Sequence, residues 1–76
     1  MKDVKVLVSA CACNQRFLAL VEKTVAEHGI DAKVTAVDDM MEIMQFEVLN
    51  LPAVVVDGKV VGRGQISESE ILHLLQ

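Results

Sequence analysis

The sequence predicts an α/β fold in which a four-stranded mixed sheet carries helices on both faces. The predicted elements follow the order strand, helix, strand, helix, strand, strand, helix, which is βαβαββα. A helix joins the first two strands, so these should be parallel with a right-handed crossover. A two-residue Asp57-Gly58 turn joins the last two strands, which predicts an antiparallel hairpin. A sheet that contains both a parallel and an antiparallel pair of strands is mixed.

The first strand and first helix meet at the two cysteines of the chain. Residues 3–8 alternate weakly and then become wholly apolar, which is typical of a strand covered on both faces. A helix is predicted from about Ala12 to His28, because apolar residues recur there on one helical face. Gly29 follows as its stop signal, where a left-handed residue is favoured.

The middle of the chain predicts a short strand, a short helix and a loop. Residues 32–37 form the second strand. The pair Asp38-Asp39 then supplies an N-cap and a negative first turn for a helix from Met40 to about Phe46. The segment 47–51 is predicted to be a loop that ends at Pro52.

The last third of the chain predicts a hairpin followed by a helix. Residues 53–56 form a continuous apolar strand, residues 59–61 form the returning strand, and residues 62–64 break it. Ser67 with Glu70 three residues later makes a capping box for the last helix.

Composition predicts one domain with an aliphatic core. The chain has 76 residues, of which 53% are hydrophobic, and aromatic residues are limited to two Phe. This length suits a single domain over residues 1–76, and the apolar fraction allows a core without disulfides or a metal.

Charge and targeting features exclude several classes of partner. The net charge is −4, and Lys and Arg are scattered singly, so the sequence predicts no nucleic-acid interface. No apolar run approaches the length of a membrane span, and Met1-Lys2-Asp3 leads directly into strand pattern, without a signal peptide. Two cysteines in such a chain favour the reducing cytoplasm, where cysteine pairs are usually catalytic, redox-sensing or metal-binding.

The pair Cys11 and Cys13 lies where a strand passes into a helix, which favours a redox site. Unpaired backbone N–H groups and the positive end of the helix dipole both stabilise a thiolate there. A structural crosslink is the alternative, but joining Cys11 to Cys13 closes a ring of only about three residues and stabilises by roughly 1.5 kcal/mol before strain. A second alternative is that both are small buried hydrophobes.

The sequence resembles the small, single-domain thioredoxin-like redox proteins of prokaryotes, also called redox-active disulfide proteins. The resemblance covers essentially the whole chain. It rests on four motifs: Val6-Leu7-Val8-Ser9-Ala10-Cys11, Gly29-Ile30-Asp31-Ala32, Glu42-Ile43-Met44, and Leu51-Pro52-Ala53 before the strand Val54-Val55-Val56-Asp57-Gly58-Lys59-Val60-Val61. It implies a thioredoxin-like fold, a cis Pro52 beside the active-site thiols, and a Leu51 backbone that pairs with an incoming peptide.

The chain departs from the family at the second cysteine. The family pattern is Cys-x-x-Cys, but Asn14 stands at the second cysteine position, and the other thiol is Cys13. Residues two apart on a helix point roughly 200° away from each other. The pair can therefore close only if Cys11 stays in the loop and the helix begins after it. Such a ring is strained and easily reduced, so we expect an oxidising couple.

The leading hypothesis is a thioredoxin- or glutaredoxin-like thiol–disulfide oxidoreductase that reduces, oxidises or isomerises protein or small-molecule disulfides. Cys11 is then the nucleophile and Cys13 the resolving thiol, with an unidentified reductase as partner and no cofactor. Asn14 can donate a hydrogen bond, and we group it with Leu51 and Pro52 as substrate-binding. A variant within this class is a monothiol enzyme, in which Cys11 acts alone and an external thiol resolves the mixed disulfide.

Two hypotheses from other classes remain open. Two thiolates can hold Cu(I), with Met40, Met41 and Met44 as conceivable thioether ligands; at that spacing, however, methionines are more often core or surface residues. A thioredoxin-fold interaction module without catalysis would use Leu51 as a peptide-docking edge. We expect a monomer.

Overall fold

The computed structural model describes residues 2–48 and 50–76, and its elements follow the predicted βαβαββα order. They are β1 (Lys2–Leu7), α1 (Ala12–Glu27), β2 (Ala32–Val37), α2 (Met40–Gln45), β3 (Ala53–Val56), β4 (Lys59–Arg63) and α3 (Glu68–Leu75). Met1 and Leu49, which fall in the predicted domain and in the predicted 47–51 loop, lie outside the described residues.

The sheet is mixed, as predicted, with the strand order β2-β1-β3-β4. β1 pairs with β2 in parallel and with β3 in antiparallel orientation, where Leu7 lies opposite Ala53. β3 and β4 form the antiparallel hairpin. Consequently the ends of β1 and β2 and the start of β3 lie at one edge of the sheet, which we call the upper edge.

Helices cover both faces of the sheet, which confirms the predicted layering. The larger core lies on the face that packs against α1 and α3; its buried members are Val4, Val6, Val8, Phe17, Val21, Val54, Ile71 and Leu75. The smaller core lies on the α2 face; its buried members are Leu7, Val37, Ile43, Val48, Ala53 and Val55. Successive side chains of β1 point to opposite faces of the sheet, so its apolar residues contribute to both cores and the strand is buried on both faces.

Predicted caps determine where the helices begin and end. Asp39 caps α2, and its side chain accepts a hydrogen bond from the Met41 N–H at 2.9 Å. Ser67 caps α3, and its hydroxyl accepts from the Glu70 N–H at 3.2 Å. Gly29, at a φ of +60°, ends α1 in the left-handed conformation.

The prediction that residues 62–64 break the returning strand is wrong for its first two residues. β4 continues through Gly62 and Arg63, because a register shift between Val54 and Val55 leaves Val61 without an opposing residue and lets pairing resume. Gly62 lies there in a tightly packed part of the strand rather than in a turn. A Cβ at this position would come within 3.2 Å of side-chain atoms of both Ile66 and Leu74.

In the described part of the chain, no helix combines the length and apolar character needed to cross a bilayer.

Candidate functional site

The two cysteines lie at the upper edge of the sheet, on either side of the start of α1. Beyond β1, the Val8 N–H donates to the Val37 carbonyl at 3.0 Å, so the chain leaves the sheet beside the end of β2. Cys11 is the N-cap of α1, with an extended backbone at φ −61° and ψ 137°. Its carbonyl accepts hydrogen bonds from the N–H groups of Asn14 and Gln15, which begin the helix. Cys13 lies within the first turn.

This arrangement brings the two sulfur atoms together. The Sγ atoms of Cys11 and Cys13 lie 2.8 Å apart as free thiols, close enough for one to donate a hydrogen bond to the other. Cys11 is exposed and Cys13 is half-buried. A Cys-x-Cys pair was expected to close only if the helix begins after its first cysteine. The structure has this arrangement, because Cys11 remains outside the helix while Cys13 is inside it.

The surroundings of Cys11 lower the pKa of its thiol. The largest cause is the hydrogen bond from the side chain of Cys13, followed by the backbone N–H groups of Cys13 and Asn14. The positive charge of Arg16 lowers this pKa further, and slight burial opposes these effects. Because the two thiols interact strongly, the first proton to dissociate belongs to the pair, and the geometry favours a thiolate on Cys11.

Asn14 is one of the few buried polar side chains, with 4% of its surface exposed. Its Oδ1 accepts a hydrogen bond from the Ser9 N–H at 3.0 Å, and its Nδ2 donates to Cys13 Sγ at 3.4 Å. The side chain therefore links the loop after β1 to the second thiol.

Further polar groups at the site were missed by sequence analysis. Gln15 Nε2 donates to the Ser9 carbonyl at 2.9 Å, and Gln65, from the loop before α3, donates to the Cys13 carbonyl at 3.3 Å. The Cys11 N–H donates to Ser9 Oγ at 3.3 Å. The sequence weakly indicates that Arg16 lies near Cys11, because Arg16 follows the cysteine pair by about one helical turn. The contact of Gln65 is not indicated, because it joins residues far apart in the chain.

The segment Leu51-Pro52 reaches the same edge of the sheet from the other direction. It directly precedes Ala53, which pairs with Leu7 at the end of β1. The Leu51–Pro52 peptide bond is cis, and Pro52 is buried, with its carbonyl accepting from the Gly64 N–H at 2.7 Å. Leu51 is half-buried against the smaller core, and among the described residues no backbone hydrogen bond involves it.

Other candidate ligands and bases lie apart from the thiol pair. Met40, Met41 and Met44 are 66–73% exposed on α2. His28 caps α1, and His73 lies in the last turn of α3; both are exposed. Within residues 2–48 and 50–76, no group of three His, Cys, Asp or Glu side chains is placed to hold a metal ion.

Comparison with known proteins agrees with this fold. The thioredoxin domain family matches residues 2–76 of the chain. A search of curated proteins finds no significant match. The match spans the four-stranded sheet, its three helices and the Cys11–Cys13 pair at the start of α1. By its sequence, its mixed sheet and its paired thiols, this chain belongs to the thioredoxin domain family.

Proposed function

We propose that this protein is a thiol–disulfide oxidoreductase in which Cys11 is the nucleophile and Cys13 the resolving thiol. The observation that carries the proposal is the 2.8 Å separation of two free sulfur atoms at the start of a helix. A disulfide bond is about 2.05 Å long, so little movement would join them. Cys11 is the exposed member of the pair and its pKa is lowered, which suits it for the first attack.

The reduction of a disulfide proceeds in two exchanges. The Cys11 thiolate attacks one sulfur of the substrate disulfide, whose S–S bond breaks and releases the first substrate thiolate. Cys13, as a thiolate, then attacks the Cys11 sulfur of the mixed disulfide. The Cys11–Cys13 bond forms, the second substrate thiolate leaves, and two electrons and two protons have passed to the substrate. Reversal of the two exchanges oxidises a dithiol.

We infer that an extended peptide substrate docks beside Leu51 and Pro52. Among the described residues no backbone hydrogen bond involves Leu51, which supports this, as does its position at the sheet edge that also carries the thiols. Main-chain pairing of this kind gives affinity without demanding a particular side chain. The proposal therefore includes protein disulfides among the substrates, beside small-molecule disulfides.

The remaining partners follow from the chemistry. Turnover as a reductant requires an external reductase or thiol that restores the Cys11–Cys13 dithiol after each cycle. We propose that this cycle takes place in the cytoplasm, where dithiols are kept reduced. We also propose that the protein acts as a monomer, since the reaction uses both thiols of one chain.

The reduction potential of the pair tests the proposed function directly. The protein is equilibrated in redox buffers of known poise, and its free thiols are counted by alkylation before and after dithiothreitol. We expect a two-electron couple in which both thiols are lost together on oxidation. Exchange of a protein disulfide should be abolished in Cys11→Ser. In Cys13→Ser it should stop at a mixed disulfide. Full exchange by Cys13→Ser with an external thiol would instead establish the monothiol mechanism. Thiols that do not oxidise reversibly as a pair would refute the dithiol proposal.

A further inference from the structure

The position of the second family cysteine is occupied by Asn14, whose side chain is buried and already engaged. Its Oδ1 is bound by the Ser9 N–H, and its Nδ2 faces Cys13 Sγ. The bond from Ser9 orients the amide, because only an acceptor can receive that N–H. A donor from a buried side chain is therefore directed at the sulfur of the half-buried Cys13.

We propose that Asn14 is a positioning residue for the resolving step, in which its side-chain amide holds Cys13 Sγ towards Cys11 and stabilises the Cys13 thiolate. This inference rests on the proposed oxidoreductase function. It assigns Asn14 a role through Cys13 rather than in direct contact with substrate.

The amide matters most after the first exchange. When Cys11 is the thiolate, the state that its lowered pKa favours, the Cys13 S–H is the donor in the 2.8 Å contact between the two sulfur atoms. In the mixed disulfide, Cys11 is bonded to substrate and carries no charge, so it no longer needs that donor. Cys13 must now release its proton to solvent and attack as a thiolate. Among the described residues, the Nδ2–H of Asn14, at 3.4 Å, is the side-chain donor that then remains on this sulfur.

The other groups around the pair act elsewhere. Arg16, on the same helix, acts on the Cys11 thiolate. Gln65, from the loop before α3, is neutral and binds the Cys13 carbonyl rather than its sulfur. From the loop after β1, Ser9 contributes only neutral groups to this network. The amide of Asn14 is thus distinguished by its contact with Cys13 Sγ.

The substitution Asn14→Asp tests the proposal with little change in shape. Aspartate retains an oxygen for the Ser9 N–H but replaces the donor that faces Cys13 with a second acceptor. Reaction with an excess of a small disulfide separates the two exchanges, because the mixed disulfide is identified by mass after acid quenching. We expect the first exchange to occur and the second to slow by about tenfold or more, since a hydrogen bond to a charged group is lost and the new carboxylate repels the Cys13 thiolate.

Gln15→Ala is the matched control, since it removes a side-chain bond to Ser9 without touching either sulfur. Resolution at nearly the wild-type rate is expected for it. An equal slowing in Gln15→Ala and Asn14→Asp would overturn the proposal, because loosening of the loop would then suffice. Resolution by Asn14→Asp at the wild-type rate would overturn it as well.

A second measurement needs neither a substrate nor a change at Asn14. In Cys11→Ser, Cys13 is the only thiol, and its titration is followed by thiolate absorbance together with the side-chain amide resonances of Asn14. We expect these resonances to shift with the Cys13 titration. Resonances that stay constant would contradict the contact. Failure of the wild type to exchange any disulfide would refute the proposed function, while this titration would still decide whether the Asn14 amide contacts the Cys13 sulfur.

Discussion

Cys11 Sγ and Cys13 Sγ lie 2.8 Å apart although only Cys13 belongs to a helix. Two residues at this spacing inside one regular helix would point to different sides. The extended backbone of Cys11, as N-cap, removes this restriction and leaves the Cys13 sulfur, in the first turn, within hydrogen-bond distance of the Cys11 sulfur. The same relationship lowers the pKa of Cys11 and places a resolving thiol beside it.

The hydrogen bond from Cys13 leads to a prediction about the acidity of Cys11. Cys13→Ala removes the largest cause of the lowered pKa, so the pKa of Cys11 should rise towards the ordinary thiol value. Near neutral pH the thiolate fraction then falls and alkylation of Cys11 slows. Cys13→Ser keeps a hydroxyl donor and should lie between Cys13→Ala and the wild type. The measurement is the alkylation rate as a function of pH.

The same experiment assigns the roles of the two thiols. Cys11 in Cys13→Ser should be alkylated faster than Cys13 in Cys11→Ser, because Cys11 is the exposed thiol. A faster reaction of Cys13 would reverse the proposed roles.

Peptide docking beside Leu51 predicts a change in amide hydrogen exchange. A mixed disulfide between Cys11 of the Cys13→Ser variant and a cysteine-containing peptide should slow exchange at the Leu51 N–H, which has no backbone partner among the described residues. The control is the same variant with 2-mercaptoethanol on Cys11, because this small thiol has no peptide backbone that could pair with Leu51. Equal exchange in the two adducts would exclude main-chain pairing at this position.

Soft-metal binding is tested by competition for Cu(I). If disulfide exchange is the function, the reduced protein should bind Cu(I) no more tightly than a small dithiol does. The measurement is the transfer of Cu(I) from a chromogenic chelator, with Cys11→Ser as the control. A one-to-one complex that survives a strong chelator would favour metal binding instead.

The two sides of α2 should differ sharply in their effect on stability. Ile43 is buried in the smaller core, whereas Met44 is 67% exposed. Ile43→Ala should lower the free energy of unfolding by about 2–4 kcal/mol, because it removes buried methyl groups and leaves a cavity. Met44→Ala should change it by less than about 0.5 kcal/mol. Chemical denaturation measures both, and comparable losses would show that Met44 is covered in solution.

The architecture follows closely from local patterns in the sequence. The continuous apolar strands, the helical spacing after Cys13 and the Asp57-Gly58 turn predicted the element order and the mixed sheet. The caps at Asp39 and Ser67 were predictable because a capping side chain bonds to backbone only two or three residues away. The end of β4 was predicted less well, because Gly62 is also a common turn residue and its role depends on Ile66 and Leu74.

The sequence by itself determined the fold class, the helix and strand boundaries to within a few residues, and the thiol pair at the start of α1. The tertiary structure decided that Asn14 is buried against Cys13, and that Gln65 reaches the Cys13 carbonyl. The sequence carries helix, strand and cap patterns because these depend on neighbours within about one turn of the chain. Side-chain donors find their partners only after the sheet has brought distant segments to one edge, and these contacts set the chemistry of the thiols.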